Sequence, residues 1–299
     1  MGFSSVVTNT CVVITITKST SLHSKFMCSL ASLAIADLCG GVFYIIQGTK
    51  KIILVILNIP ETNTQVSCLL QMFPGIWEPT VSDLMTLAIN MDRLLAVAAP
   101  IMYATRLRKT YVITLNAVAW IVATAIAVSA FDMANSSKLF HVCYAVVTPD
   151  LWFQHLLSSV RIGAGMGNLI LFSVTLVLLR YRFEKSKSLS SEERRRVRED
   201  LGVNMIKTLG VILVTYALLR WASSVLLTTL LKYLSPTAHI TAAAFNALLP
   251  CAYSTSHFFV YYTMSSVFRK AFRAVILKRQ ETSVVRVIPA APNDSAVRS

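Results

Sequence analysis

An acid–base pair, Asp92 and Arg93, lies near the end of a long apolar stretch, in the segment AINMDRLLAVAAPIMYATRLRK (residues 88–109). An arginine at a membrane boundary is costly to desolvate alone, and an adjacent carboxylate holds it closed until better acceptors are offered. The pair is therefore a candidate switch. The alternative is a simple ion pair at a helix end, whose arginine reaches out to water.

Five more ionisable residues fall within or near apolar stretches, where charge is costly and indicates a functional position. They are Asp37, Glu78, Asp83, Arg161 and Arg220. The histidines show no His-x-x-x-His or His-Glu spacing, and no nucleophile constellation is visible, so the sequence predicts neither an enzyme nor a cofactor.

These residues belong to a chain with the composition of a membrane protein, because 55% of its 299 residues are hydrophobic and 14% are charged. Seven apolar runs are candidates to cross roughly 30 Å of hydrocarbon. They lie at about residues 2–17, 26–53, 69–98, 111–131, 151–180, 203–231 and 239–264. We predict an all-α membrane protein, a seven-transmembrane helix bundle.

The predicted bundle covers residues 1–264. Its first run is shorter than the roughly 20 residues that a span needs, which indicates that the outer end of that helix is truncated. A short amphipathic helix on the membrane surface is expected at residues 265–279, and a disordered cytoplasmic tail at 280–299.

The basic residues orient the predicted helices. Of the 28 lysines and arginines, 22 fall near the inner ends of the spans if the loops after runs one, three and five and the C-terminal tail face the cytoplasm. This positive-inside pattern places the N-terminus outside and the C-terminus in the cytoplasm of a multi-pass plasma-membrane protein. Since the charges flank membrane spans, the bilayer is the expected partner and nucleic acid is not.

Two cysteines, Cys68 and Cys143, fall on the outer side, where disulfides persist. We expect them to be bonded, with two free thiols as the alternative. The other four cysteines lie in apolar runs and carry no prediction. Asn135, in the sequence Asn-Ser-Ser of the same outer loop, is a candidate glycosylation site.

The segment that carries Asp92 and Arg93 resembles the inner end of helix three in rhodopsin-like (class A) G-protein-coupled receptors, with Pro100 and Tyr103 at the family spacing. Other landmarks agree in order and spacing. They are Asn9, Asp37 in LASLAIADL, Trp120, KTLGVILVTY (207–216) and FRKAF (268–272). The chain looks like a divergent member, similar to nematode serpentine chemoreceptors.

The departures from the family pattern lie at its switch positions. Leu94 replaces a tyrosine, and Arg220-Trp221-Ala222 replaces Trp-x-Pro in helix six, so the proline kink is lost. Residues 258–262 (Phe-Phe-Val-Tyr-Tyr) replace Asn-Pro-x-x-Tyr in helix seven, and Tyr262 is taken as the retained tyrosine.

The resemblance implies a receptor that transmits the binding of an extracellular ligand, a peptide or a small molecule such as a chemosensory cue, to a heterotrimeric G protein. The implied coupling residues are Asp92, Arg93, Pro100, Tyr103 and Tyr262. Arg93 would be freed to bind backbone carbonyls of a G-protein helix, since a guanidinium stays charged and presents several donors.

The resemblance also implies a candidate sodium site. Asp37 and Ser82 stand at the family's aspartate and serine ligands, and Glu78 lies one helical turn from Ser82 on the same face. The helix-seven asparagine ligand is absent. In the alternative interpretation, Arg220 forms an ion pair with Glu78 or Asp37.

The ligand pocket is less well defined by the sequence. Gly75 stands where amine receptors carry an aspartate, which argues against an amine ligand, and Arg161 favours an acidic one. The candidate ligand-binding residues in the outer half of the bundle are Trp77, Gln154, His155, Arg161, Arg220 and Tyr253.

Other functions compete with this one. A retinal protein needs a Schiff-base lysine in helix seven, and residues 239–267 contain none. A transporter would show internal repeats or paired broken helices, which the sequence lacks. A transporter or channel-like protein remains the alternative, together with a divergent receptor that does not signal.

Overall fold

The structure is a computed structural model that describes residues 1–22, 25–105, 109–132, 134, 139–140, 143, 151–186, 210–222, 225 and 236–276. The helices are α1 (Gly2–Lys18), α2 (Lys25–Ile56), α3 (Gln65–Ala98), α4 (Pro100–Thr105), α5 (Lys109–Val128), α6 (Leu151–Ser186), α7 (Gly210–Trp221), α8 (Pro236–Met264) and α9 (Ser266–Val275). Two short strands are β1 (Asn63–Thr64) and β2 (Leu139–Phe140).

The chain is an all-α membrane bundle, as predicted. The seven apolar runs correspond, in order, to α1, α2, α3, α5, α6, α7 and α8. Within the described residues, three segments are each long and apolar enough to cross a membrane by length and composition: Phe26–Ile56, Thr110–Phe131 and Leu151–Arg182.

The distribution of polar side chains explains why α3 is not among these three segments. This helix packs against α2, α5 and α6, and it carries Glu78, Asp83 and Asp92 with all three side chains buried. Large apolar residues such as Ile121 and Val177 are instead about two-thirds exposed on the outside of the bundle. Such an arrangement suits a lipid surround, where charge is stable only in the interior.

Small residues and aromatic pairs join α2, α3 and α5. Ala36 and Ala123 are fully buried, which allows the helices to approach closely. Trp77 and Trp120 pack edge to face with ring centroids 5.2 Å apart, and Trp120 Nε1 donates to Ser32 Oγ at 2.9 Å. These contacts fix the rotation of α3 about its axis and therefore the direction of its charged side chains.

The first helix is bonded to the last span near the middle of its length. Asn9 Nδ2 donates to Ser254 Oγ at 2.7 Å and to the backbone oxygen of Ser5 at 2.9 Å. Farther along the bundle, Ser265 caps the start of α9, because its hydroxyl accepts from the Phe268 amide. The Phe268 ring is fully buried against α1 and α2.

At the other end of the bundle, a disulfide joins Cys68 to Cys143, and the Cα atoms of the two residues are 5.4 Å apart. The prediction of this bond is confirmed. Beside it, β1 and β2 pair antiparallel, with Asn63 opposite Phe140. The segment after α5 is thereby attached to the start of α3, whereas Asn135 and the predicted tail at 280–299 lie outside the described residues.

Candidate functional site

The side chains of Asp92, Arg93 and Tyr103 form a closed triad at the end of α3. Arg93 Nε donates to Asp92 Oδ2 at 3.0 Å, and a second contact runs from Nη2 to the same oxygen. The Tyr103 hydroxyl donates to Asp92 Oδ1 at 2.8 Å and accepts from Arg93 Nη2 at 3.1 Å. Each member of the triad therefore binds the other two.

A short turn positions Tyr103 beneath α3. The helix α3 ends at Ala98, and Pro100 begins α4, where its missing N–H removes no helical hydrogen bond. The Tyr103 amide then donates to the Ala99 oxygen at 2.9 Å, which places the phenol within reach of Asp92. The spacing of Pro100 and Tyr103 thus brings the Tyr103 hydroxyl to Asp92.

The charged members of the triad are shielded from solvent, and Tyr103 is half-buried. Asp92 is 1% exposed and Arg93 is 8% exposed, and the Phe26 ring of α2 lies 4.6 Å from Arg93 Cζ. Burial raises the pKa of Tyr103 to about 12, so the phenol keeps its proton and remains a donor. The structure therefore shows Arg93 in its closed arrangement.

The tyrosines of α8 differ from the sequence assignment. Tyr262 is half-buried, stacked on Phe258 with ring centroids 5.9 Å apart. Its neighbour Tyr261 is 3% exposed and is the one that faces the interior. Successive residues of a helix point about 100° apart, so the two tyrosines have different surroundings, and the coupling role of Tyr262 stays a prediction. Counting from FRKAF without the Asn-Pro pair could not separate these two tyrosines.

A second group of buried charges lies at the middle of the bundle. We call Glu78, Asp83 and Arg220 the core ion cluster. Arg220 Nε donates to Asp83 Oδ1 at 2.7 Å, Nη2 donates to the Pro79 oxygen at 2.8 Å, and Nη1 lies 3.7 Å from Glu78 Oε1. All three charged side chains are under 10% exposed, so the cluster connects α7 to α3.

A third pair lies beside this cluster. His257 Nδ1 of α8 is 3.3 Å from Asp37 Oδ2 of α2, and the His257 ring packs edge to face against Tyr253 at 4.3 Å. Sequence reasoning missed His257, although a histidine inside an apolar run was a signal. It also missed Asp83 as the nearest acid to Arg220, naming Glu78 or Asp37 instead.

The predicted sodium ligands lie in the same region. Glu78 packs against α2 so closely that a Cβ on Gly40 would be 2.6 Å from its Cγ, and Gly40 is one turn from Asp37. Within the described residues, Ser82 Oγ and Glu78 Oε2 have no hydrogen-bond partner. No group of three or more His, Cys, Asp or Glu in this part of the chain could hold a metal ion. The sodium site remains a prediction.

The predicted ligand-binding residues divide into two sets. Tyr253 and Arg220 lie in the interior, with Arg220 Cζ 5.5 Å from the Tyr253 ring centroid, and the Nε atom of Arg161 on α6 is buried without a hydrogen bond to any described residue. Trp77 instead donates to Thr124 Oγ1 of α5 at 2.9 Å. His155 is exposed and Gln154 is half-buried, so the structure does not unite all six.

A cavity of about 20 Å³ lies between the core ion cluster and the Asp92–Arg93–Tyr103 triad. Its polar lining comes from Thr86, Asn90, Tyr216, Tyr253 and Tyr261. This volume accommodates about one water molecule. The polar interior therefore continues from Arg220 toward the end of the bundle that holds Arg93.

The all-α membrane bundle, with a disulfide at one end and a buried Asp-Arg pair at the other, defines a seven-helix receptor of the G-protein-coupled type. The chain belongs to the family described as serpentine type 7TM GPCR chemoreceptor Srsx, whose model matches residues 3–276. A comparison with curated proteins finds no match.

Proposed function

We propose that this receptor resides in the plasma membrane and transmits the binding of an extracellular chemosensory ligand to a heterotrimeric G protein. The observation that carries the proposal is the closed Asp92–Arg93–Tyr103 triad at the end of α3. The hydrogen bonds of Arg93 are made to Asp92 and Tyr103 of the same chain. A partner that offers acceptor oxygens can replace these bonds. A purely structural ion pair would not need a third residue on a separate helix.

The proposed mechanism releases Arg93 when α7 moves away from α3. In the closed state the guanidinium is bonded to Asp92 and Tyr103 and covered by Phe26. Outward movement of the inner part of α7 opens a cleft beside it. The guanidinium then donates to backbone carbonyls at the C-terminal end of a G-protein helix, a task for which its permanent charge and several donors are suited.

The proposed sidedness has two independent supports. The basic residues cluster at the ends of the spans that would face the cytoplasm. The disulfide Cys68–Cys143 lies at the opposite end, and such bonds persist on the extracellular side. The N-terminus is then outside, and the triad and α9 are inside.

The ligand proposed for the outer half of the bundle carries an acidic group. Arg161 offers a buried Nε atom that has no hydrogen bond within the described residues, and a carboxylate is the natural acceptor for a guanidinium. On α3, Gly75 stands where amine receptors carry an aspartate, so no acid is present there to bind an amine. The Phe43 ring lies against Gly75. Arg161 therefore favours an acid over an amine.

The test is expression of the chain in cells with a panel of G proteins, with nucleotide exchange measured at matched surface expression. Arg93→Ala should abolish basal and ligand-stimulated exchange. The matched control is Arg182→Ala, which removes a half-buried arginine that donates to the Ala98 oxygen close by, and it should retain exchange. A receptor that signals normally with Arg93→Ala would refute the proposal, and solute transport without exchange would favour a transporter.

A further inference from the structure

The helix α7 changes its hydrogen bonding where the sequence has lost a proline. It begins as an α-helix at Gly210, and the segment Tyr216–Trp221 is π-helical. Ala222 follows immediately, so no proline explains the irregularity. A π turn holds one more residue than an α turn, bends the helix and is frequent at functional sites.

The core ion cluster holds this π turn against α3. Arg220 Nε donates to Asp83 Oδ1 at 2.7 Å, and the Tyr216 hydroxyl reaches the same oxygen at 3.4 Å. Tyr216 is 1% exposed and Arg220 is 3% exposed. Both residues of the π turn that face the interior are therefore bound to one carboxylate.

Two further contacts fit the π turn to its surroundings. Arg220 Nη2 donates to the Pro79 oxygen at 2.8 Å. On the other side, Trp221 packs directly on the backbone of Gly165 in α6, where an added Cβ would lie 1.8 Å from Trp221 Cδ1. Only a glycine at this position of α6 admits the indole, so the π turn is held on two faces.

We propose that the π turn is the hinge of α7 and that the Arg220–Asp83 pair keeps it closed in the resting receptor. When the pair separates, the π turn relaxes toward α-helical bonding, and the part of α7 on one side of it rotates by up to about 100°, one residue's share of a turn. The inner part of α7 then moves away from α3 and exposes Arg93. This inference rests on the proposed coupling function.

The energetic reason is that a buried guanidinium has few alternatives. Arg220 keeps its charge, and in the interior the guanidinium must stay bonded to acceptors, either acids or other oxygens. The hinge therefore has two discrete states rather than a continuous range, because the pair is either made or replaced by other acceptors. The guanidinium of Arg220 also places a positive charge of the chain itself beside Glu78 and Asp83 of α3.

The first experiment measures the α3–α7 distance and nucleotide exchange in the same full-length receptor. Labels are attached at Met91→Cys and Val214→Cys, which are both exposed, after the four free cysteines are replaced. Asp83→Asn should lengthen the label distance and raise basal exchange by about fivefold or more. The control Glu78→Gln removes only the 3.7 Å contact and should do less.

The double variant Asp83→Arg with Arg220→Asp keeps the proposal testable if single variants fold poorly. It should return surface expression and label distance toward the wild-type values. The inference is overturned if Asp83→Asn leaves the distance unchanged, or if the exchanged pair is no better than either single change. A longer distance without any exchange would instead support the hinge and refute the coupling function.

The second experiment tests the π turn itself with a pair of glycine substitutions in α6. Gly165→Ala forces Trp221 to move, whereas Gly163→Ala meets nothing within 4 Å. We expect a longer α3–α7 label distance and raised basal exchange for Gly165→Ala only. Equal behaviour of the two variants would show that the contact between Trp221 and α6 does not hold the π turn.

Discussion

Arg93 and Arg220 are both buried arginines, but they join different parts of the molecule. Arg93 is bonded to the adjacent residue and to Tyr103, ten residues away, so its bonds can be exchanged locally once α7 has moved away. Arg220 is bonded to Asp83 across 137 residues of sequence, so its release must move one helix relative to another. The first suits the binding of a partner, and the second suits the control of helix position.

Tyr103→Phe should weaken the closed state of the triad. The phenol donates to Asp92 and accepts from Arg93, and a hydrogen bond to a charged group contributes roughly 1.5–3 kcal/mol, less at a partly exposed site. We expect basal nucleotide exchange to rise by roughly three- to tenfold. Tyr181→Phe, at an exposed position, is the control. A Tyr103→Phe receptor with lower basal exchange would contradict this role.

The pH dependence of this contact follows from the pKa of Tyr103. Burial raises that pKa to about 12, which favours the neutral phenol, so the contact is lost only as the pH rises through that value. Tyr103 should therefore cause no change in basal exchange between about pH 6 and 9. A change over this range that Tyr103→Phe removes would refute the assignment.

The ease of prediction follows from how local each contact is. The Asp92–Arg93 pair could be predicted because the two residues are adjacent, whereas the family spacing pointed to Tyr103 without predicting its bonds to the pair. The partner of Arg220 could not, since three acids were available and only helix rotation selects Asp83. Tyr261 and His257 were missed for the same reason, because which side of α8 faces inward is set by packing against α2 and α7.

At the level of elements, hydropathy located most spans to within a few residues. The run predicted at 151–180 continues as a helix to Ser186, and α3 begins at Gln65 rather than near 69 because the Thr64 side chain caps it. At the position of the π turn in α7, the sequence predicted only that the family's proline kink is lost. The π turn depends on contacts with Asp83 of α3 and Gly165 of α6, so the local sequence of α7 does not predict it.

The disulfide joins structural elements, because it attaches the β1–β2 pair to the start of α3. Cys68→Ser and Cys143→Ser should each lower surface expression and thermal stability. The double variant should be no worse than either single one, since all three remove the same bond. Cys28→Ser, which removes an exposed free thiol, is the control. Additive losses would mean that the two thiols act separately.

At the scale of the whole molecule, charge is arranged by function. In the middle of the bundle, Asp83 of α3 is paired with Arg220 of α7, and Asp37 of α2 lies against His257 of α8. Several basic residues at the bundle end near the triad are exposed, including Lys18 on α1 and Lys270 on α9. In the proposed receptor, the first arrangement holds the helices in one state, and the second would orient the bundle toward an anionic membrane surface.

The proposed orientation predicts which positions are reached from outside a cell. Thr62, next to β1, and Lys270, on α9, are both exposed and lie at opposite ends of the bundle. In a chain without other free thiols, Thr62→Cys should react with a membrane-impermeant maleimide on intact cells. Lys270→Cys should react only after permeabilisation. Reaction of Lys270→Cys on intact cells would place the Asp92–Arg93 pair on the outer side, where no G protein could meet it.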